Sequence, residues 1–249
     1  MNFNKFNIPQ LTIITINKNG GHSLQNTIDS VLRQKNSNFK WILVDGYSSD
    51  VSKNIIDDNI DNFDALLFDS NGIYSAMNYG ISETVTDWIL FLNGGDMLVD
   101  SFVIDKFMNI SKTSENMVMG GFIKDGIKRS SRRPSTSSIF YGMPTCHQAI
   151  FYKNLCINFD IKYKYAGDFL QTLTYFNLLP RPLIVDWPVC ISKSGGVSDI
   201  YYFRQSFEYL AITWAEGRYA LGLYYFILRL IGKFIYTFFP PIYIKIKRL

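Results

Sequence analysis

At 249 residues the chain can bury a full core, and with 47% hydrophobic and 18% charged residues it is neither disordered nor low in complexity. Cys146, Cys156 and Cys190 are too few and too scattered for a disulfide framework or a zinc site, and read as reduced thiols of a cytosolic protein. The net charge of +4 is uneven: Arg218, Arg229, Lys233, Lys245, Lys247 and Arg248 stand in an acid-free C-terminal stretch, which leaves 19 basic and 21 acidic residues in 1–217. By charge, the body is not a nucleic-acid binder.

The opening residues have no apolar stretch of signal-peptide length behind a basic flank, so secretion is not expected. Leu11 to Ile16 is a short β-branched run, the pattern of a buried parallel strand. A turn-rich loop follows, and Leu24, Ile28, Val31 and Leu32 then recur at helical spacing over 22–34. Trp41 to Val44 predicts a second strand, and Ile55, Ile56 and Ile60 a second helix. Ala65–Phe68 and Ile73–Ser82 predict a third strand and helix, and Trp88–Leu92 a fourth strand. This alternation argues for a parallel α/β sheet with helices on both faces.

After Asp96 the rhythm loosens. The pattern predicts a helix over 101–110, a strand over 117–123, an irregular basic loop over 124–138, strands over 148–152 and 183–186, and a helix over 168–177. Nothing repeats and no linker intervenes, so 1–215 reads as one domain, with a nucleotide-binding half in 1–100 and an acceptor-binding half in 101–215.

In open α/β sheets, ligands bind beyond the carboxyl ends of the strands. The first strand ends in Thr15 and Asn17, the second in Asp45 to Asp50, the third in Asp69 to Gly72, and the fourth in Asn93, Gly94, Gly95 and Asp96. Each loop alone suits helix capping; four in a row point to a shared site. Residues 17–22 do not supply the G-x-G-x-x-G of a dinucleotide site, and no G-x-x-x-x-G-K-[ST] occurs. A carboxylate at a strand end with glycines beside it suits a divalent cation bridging a diphosphate.

Asp45-Gly-Tyr-Ser-Ser-Asp50, Gly72-Ile-Tyr-Ser-Ala-Met-Asn78, Phe91-Leu-Asn-Gly-Gly-Asp96, His147-Gln148 and Gly195-Gly-Val-Ser198 occur in that order, and together they resemble the signature set of family 2 glycosyltransferases. More narrowly, they resemble small bacterial enzymes that build O-antigen, capsule or exopolysaccharide repeat units. The resemblance implies a GT-A fold, a nucleotide-diphosphate sugar donor, Mn²⁺ or Mg²⁺, and inversion at the anomeric carbon. Carried over by position, Thr15 and Asn17 lie beside the base, and Asp45 accepts a hydrogen bond from uracil. Asn78 lies near the donor, and Asp96 contacts the metal or its water shell.

Two departures stand out. A single acid, Asp96, follows Asn93, Gly94 and Gly95 where the family often has two or three, so the ion depends on diphosphate oxygens and water. The acids flanking the Gly-Ile-Tyr run are replaced by Ser70 and Ser75, which leaves Asp69 as the nearest carboxylate.

Asp168 opens a predicted helix. On residue type alone it is a cap; the resemblance makes it the base that takes the acceptor proton. The resemblance also puts His147 and Gln148 toward donor or acceptor, while Arg132 and Arg133, in a Ser-rich loop with Arg129, are candidates for a diphosphate clamp.

In the tail, Arg229 and Lys233 interrupt the apolar run, which argues against a spanning helix. At 100° per residue, Arg218, Gly222, Tyr225, Arg229, Lys233 and Tyr236 share one face, and Leu223, Ile227, Leu230, Ile231, Phe234 and Phe238 the other, up to Pro240-Pro241. Residues 216–249 therefore read as a cationic amphipathic segment on an anionic membrane. The combined expectation is a peripheral enzyme on the cytoplasmic face of the bacterial inner membrane. It moves a hexose from UDP-glucose or UDP-galactose to an undecaprenyl-diphosphate-linked acceptor. A sugar-phosphate nucleotidyltransferase and a non-catalytic nucleotide-sugar-binding scaffold are the alternatives.

Overall fold

The computed structural model describes residues 10–178 and 182–238. The first β-branched run forms β1 (Leu11–Asn17), buried along its whole length, as a strand covered on both faces must be. Helix α1 (Ser23–Leu32) turns Leu24, Ile28 and Val31 onto it at helical spacing. There follow β2 (Phe39–Asp45), α2 (Ser52–Asp58), β3 (Ala65–Phe68), α3 (Ile73–Ser82) and β4 (Trp88–Phe91). These four strands are parallel in the order β3-β2-β1-β4, with Asn17 opposite Asp45 at the carboxyl edge.

Beyond β4 the sheet becomes mixed. A two-residue strand, β5 (Met97–Leu98), precedes α4 (Val103–Met108), β6 (Met117–Lys124), β7 (Ile127–Arg129), β8 (Ile150–Lys153), α5 (Gly167–Asn177) and β9 (Leu183–Ser192). The full order is β3-β2-β1-β4-β8-β6-β9-β5, with β7 on the far half of β6. Strand β8 runs antiparallel to both neighbours, β4 and β6.

One core cluster packs α1 and α4 on one face of the sheet, bringing Leu11 and Ile13 of β1 together with Leu24, Ile28 and Phe107. A second packs α3 on the other face through Ile14, Ile16, Met77 and Phe91. A third, smaller cluster joins Phe169 and Leu173 of α5 to Tyr209 and Ile212. The last two lie on α7 (Tyr202–Ala215), which follows the single turn α6 (Val197–Ile200) and precedes α8 (Tyr219–Phe238).

Several expectations are corrected here. The basic loop over 124–138 is not wholly irregular: Ile127–Arg129 pairs with Phe122, Ile123 and Lys124 as a hairpin. The last strand runs on to Ser192 through Pro188, where the β6 pairing is irregular and tolerates a residue without an N–H. The second helix ends at Asp58, and Ile60 lies in a separate 3₁₀ turn. Helix α7 is an element that the sequence pattern does not announce.

Candidate active site

The carboxyl edge of β1 and β2 is organised around Asp45, which is 3% exposed. Its Oδ1 accepts from Asn17 Nδ2 (3.0 Å) and Ser48 Oγ (2.7 Å), and its Oδ2 from the Ser48 N–H (2.7 Å). An ionised carboxylate offers about four acceptor positions, so one on Oδ2 is left over. Asn17 is walled in: a Cβ on Gly20 would collide with its Oδ1 and one on Gly94 would come within 2.6 Å of it, so glycines are required on both sides. That buried Oδ1 has no hydrogen-bond partner. Beside Asp45 opens a cavity of about 210 Å³, lined by Tyr47, Lys53, Ile56, Leu66 and Phe68 among others. The rings of Tyr47 and Phe68 lie with their centroids 5.5 Å apart at its wall.

The next loop carries Asn93, Gly94, Gly95 and Asp96. Gly94 N–H bonds to Ile16 O (2.9 Å) and Gly95 N–H to Thr27 Oγ1 (2.8 Å), fixing the loop over the start of α1. Burial pushes the Asp96 carboxyl up to about 7, with Lys124 pulling it down. Asn93 Oδ1 is buried without a partner. Among the described residues no three His, Cys, Asp or Glu side chains converge to hold a metal. The oxygen donors present, Asp96 with the unpaired Asn93 carbonyl in the same loop, therefore fit a hard divalent cation only as an open site completed by a ligand's oxygens.

Asp168 lies in the first turn of α5, but the N-cap is Ala166 and has no side-chain bond. Both hydrogen bonds found at the Asp168 carboxylate end on Oδ1: the Phe169 N–H at 2.9 Å and the Tyr74 hydroxyl at 3.2 Å. Tyr74 belongs to the Gly-Ile-Tyr start of α3, so it ties this carboxylate to the parallel half of the sheet. A Cβ on Gly167 would come within 2.8 Å of the Tyr74 ring, so the approach requires glycine. Burial raises the Asp168 carboxyl to about 6 against the pull of those hydrogen bonds and of Arg229.

An aromatic wall runs from β4 to this turn. His147 stacks on Phe91 (5.1 Å) and meets Phe159 (5.7 Å), which in turn stacks on Tyr74 (5.3 Å). Burial pushes His147 down to about 3, so the ring is neutral, and its buried Nε2 has no partner.

Other candidates are spent within the fold. Thr15 is fully buried and accepts the Trp41 indole N–H (3.0 Å), which makes it core rather than pocket surface. Both ends of the Asn78 amide bond the Phe159 backbone, at 2.9 and 2.7 Å, so it braces α3 against that segment. Asp69 accepts from Asn71 and Ser75 close by in sequence. Gln148 accepts from the Cys146 thiol. Arg132 donates to Ser138 O and Gly142 O, and is thereby a loop clasp rather than a free diphosphate clamp. Arg133 lines a separate small hollow with Phe176 and Pro182.

The tail helix α8 leaves its apolar face exposed, while the cations of its other face pack on the body rather than standing free for an anionic surface. Its cationic face turns toward the body: Arg229 lies 4.1 Å from the Tyr209 ring centroid and Lys233 5.1 Å from that of Tyr202. Gly222 is buried against Thr213 and Trp214. Leu223, Ile227, Ile231, Phe234 and Phe238 face outward, 46–64% exposed. The cause is the aromatic-rich α7, which offers ring faces to cations. Helix α8 is also, among the described residues, long and apolar enough by length and composition to cross a membrane, at mean hydropathy 1.3. Lys245, Lys247, Arg248 and the Pro240-Pro241 break lie outside the described residues.

A parallel half-sheet with polar loops at its carboxyl edge, continued by a mixed half that carries a further carboxylate, is the GT-A architecture. S. aureus TarS in complex with UDP-GlcNAc superposes with a TM-score of 0.68 at 15% identity, over 92% of this chain and 73% of that one. The mannosyltransferase PcManGT of Pyrobaculum calidifontis, in complex with GDP-Man and Mn²⁺, superposes with a TM-score of 0.65 at 12% identity, over 94% and 82%. With UDP bound, TarS is covered over 65% of its chain, so this chain spans about two thirds of that relative. The chain belongs to glycosyl transferase family 2, whose profile matches residues 12–169. A PGL/p-HBAD biosynthesis glycosyltransferase of Mycobacterium bovis is 27% identical over 172 residues, 64% of this chain and 67% of its own. A teichoic acid poly(glycerol phosphate) polymerase of Staphylococcus epidermidis is 29% identical over 108 residues, 40% of this chain and 15% of its own. Family membership sets aside the nucleotidyltransferase alternative.

Tyr74, Glu208, Tyr209 and Arg229 are the site-building residues that the sequence does not reveal as such. Tyr74 stands inside the Gly72–Asn78 motif. Glu208 shares α7 with one other charge, Arg204, and Arg229 shares α8 with one, Lys233; the scarcity of charge in these aromatic helices is the available signal.

Proposed function

We propose that the chain is an inverting, metal-assisted hexosyltransferase that takes its sugar from a UDP-sugar and passes it to a lipid-diphosphate-linked acceptor in surface glycan synthesis. The observation that carries the reading is Asp168: a half-buried carboxylate raised to about 6, tied through Tyr74 to the same sheet edge that holds Asp45 and Asp96. A general base works best with a pKa near the working pH, which this environment approaches.

The uracil ring rests in the cavity beside Tyr47 and Phe68, its N–H on the spare acceptor position of Asp45 Oδ2. Asn17 holds Asp45 in place instead of touching the base itself. Asp96, with Asn93 beside it, would hold Mn²⁺ or Mg²⁺ once diphosphate oxygens complete the site. An ion held there would supply positive charge against the departing diphosphate. Asp168 uses Oδ2 to take the acceptor hydroxyl's proton while that oxygen forms its bond to the anomeric carbon and the carbon–diphosphate bond breaks.

The outward apolar face of α8, continued by Phe203 and Phe207 of α7, rests in the headgroup region of a membrane, on the cytoplasmic face. The helix lies on the surface rather than spanning, because Arg229 and Lys233 are held against the body. The deciding experiment is UDP release and sugar transfer by the full-length protein with Mn²⁺ across a panel of UDP-sugars. A chain that binds UDP yet releases none from any of them is a binding protein, not this enzyme.

A further inference from the structure

The turn that carries Asp168 is supported almost wholly from outside α5. The Glu208 carboxylate of α7 accepts three successive backbone N–H groups, from Lys164 (2.9 Å), Tyr165 (2.8 Å) and Ala166 (2.8 Å). Gln205 Nε2 donates to Tyr165 O (3.0 Å), and the Tyr209 ring stacks on Phe169 at 4.2 Å. Helix α7 is thus the seat of the turn immediately before and after the carboxylate.

Helix α8 closes over that seat with one side chain. The Arg229 guanidinium lies over Tyr209, on the ring that supports Phe169. Its Nε donates to Ser206 Oγ (3.2 Å), and its Nη2 to Gln205 Oε1 (3.3 Å), the same amide that holds Tyr165. A Cβ on Gly142 would come within 3.0 Å of Arg229 Nη1, so the loop after Tyr141 also leaves it room. The guanidinium is thus held between α7 and this loop, on the face of a mostly apolar helix that turns toward the body.

Resting on the assignment of Asp168 as the base, we propose that Arg229 is a positioning residue for the reaction: by clamping Gln205 and Tyr209 it fixes the turn that presents Asp168, and so makes the docked tail helix part of the active site. Rigid support of this kind matters because a displacement of about 1 Å in a reacting group costs on the order of a hundredfold in rate. The groups that act on Asp168 are Tyr74 from α3, Tyr152 from β8, Tyr209 from α7 and Arg229 from α8. The three tyrosines are neutral at working pH, which leaves Arg229 as the charge that favours the ionised carboxylate. The helix whose outer face is offered to a membrane therefore also reaches the base, so the seating of that helix and the readiness of the site are one event.

The test is the steady-state kinetics of UDP release by the full-length protein, below the melting temperature, from the UDP-sugar that the wild type turns over. Arg229→Gln should lower kcat by about ten- to a hundredfold, leave UDP affinity by calorimetry within about twofold, and move the acid limb of the pH profile to higher pH. Arg229→Lys keeps the charge but loses the planar fork; it should keep the wild-type limb with a reduced kcat. Normal kcat and an unmoved limb in Arg229→Gln, even with a lower melting temperature, overturn the proposal and make Arg229 helix glue. If Arg229→Gln does not fold, Arg229→Lys decides alone, with wild-type kcat as the contrary result. Asp168→Asn is run alongside. Full turnover there contradicts the base assignment itself, whereas an inactive Asp168→Asn beside a normal Arg229→Gln contradicts only the role given to Arg229.

Discussion

The two sides of the site are held together by different forces. At the β1–β2 edge, Asn17, Asp45 and Ser48 lock one another through hydrogen bonds of 2.7–3.1 Å at the ends of buried parallel strands. At the α5 turn, Asp168 depends on ring stacks, a carboxylate from α7 and a cation from α8, a helix whose one buried residue is Gly222. A strand-end network is already built when the core forms. A turn propped by surface helices is only as ordered as those helices, and with Asp168 as the proposed base that puts the chemistry within reach of whatever seats the tail. Donor binding and catalytic competence should therefore separate under mutation.

The largest expected effect is at Asp96. Asp96→Ala should abolish Mn²⁺-dependent transfer while circular dichroism remains native, because the side chain makes no hydrogen bond that the fold relies on. Persistent Mn²⁺-dependent turnover removes Asp96 from the site. On the donor side, Asp45→Asn keeps the shape but loses the charged acceptor, and hydrogen bonds to charged groups contribute about 1.5–3 kcal/mol. UDP affinity by calorimetry should fall about ten- to a hundredfold, with kcat at saturating donor much less affected. A drop in kcat with unchanged affinity would erase the contrast between the two sides.

Truncation at residue 218 sharpens it from the other direction. Removing α8 exposes Tyr209 and Gly142 and takes away the outward apolar face at once. The melting temperature and vesicle co-sedimentation should fall together, and UDP affinity should remain. A truncated chain that melts normally would mean that the docking of Arg229 and Lys233 contributes little.

A smaller effect concerns stability. The folded pKa of Asp168, about 6, lies above its unfolded value near 3.9. Its proton therefore favours the fold below about pH 4, and that advantage is lost as pH rises through 6. Above about pH 7 the carboxylate is a burden, so Asp168→Asn should melt at a higher temperature than wild type there, with the difference shrinking toward about pH 4. Equal melting temperatures across that range would show that the group is better solvated than its surroundings indicate.

Much of this is legible in the sequence, for identifiable reasons. The span Ile73–Ser82 can be read to the residue, because Gly72 and the helical spacing behind it mark a start without ambiguity. The four polar strand ends are visible because buried parallel strands are nearly pure apolar runs, so their ends are sharp. Strand β9 reads as ending at Asp186 because Pro188 interrupts the pattern, and only its irregular pairing with β6 makes that proline tolerable. The two faces of α8 sort correctly by spacing, but spacing does not say which one points inward. The usual rule turns apolar residues to the core, and here the partner helix offers tyrosine rings to cations. Thr15 and Asn78 suit the ligand by position, and only coordinates show their hydrogen bonds going to Trp41 and Phe159. Pairings between distant segments, such as Tyr74 with Asp168, leave no mark on a single sequence.

The central claim is that Asp168, set near 6 by burial and steadied by Tyr74, is the base. The most direct measurement is the pH dependence of kcat/KM for sugar transfer by wild type and Asp168→Asn, since this quantity reports the free enzyme's essential groups. The wild type should lose activity with unit slope below about pH 6, as the carboxylate takes up its proton. Asp168→Asn should be lower by on the order of 10²–10⁴-fold, with that limb gone. A variant that keeps both the rate and the limb would contradict the account, and would place the proton acceptor on another residue.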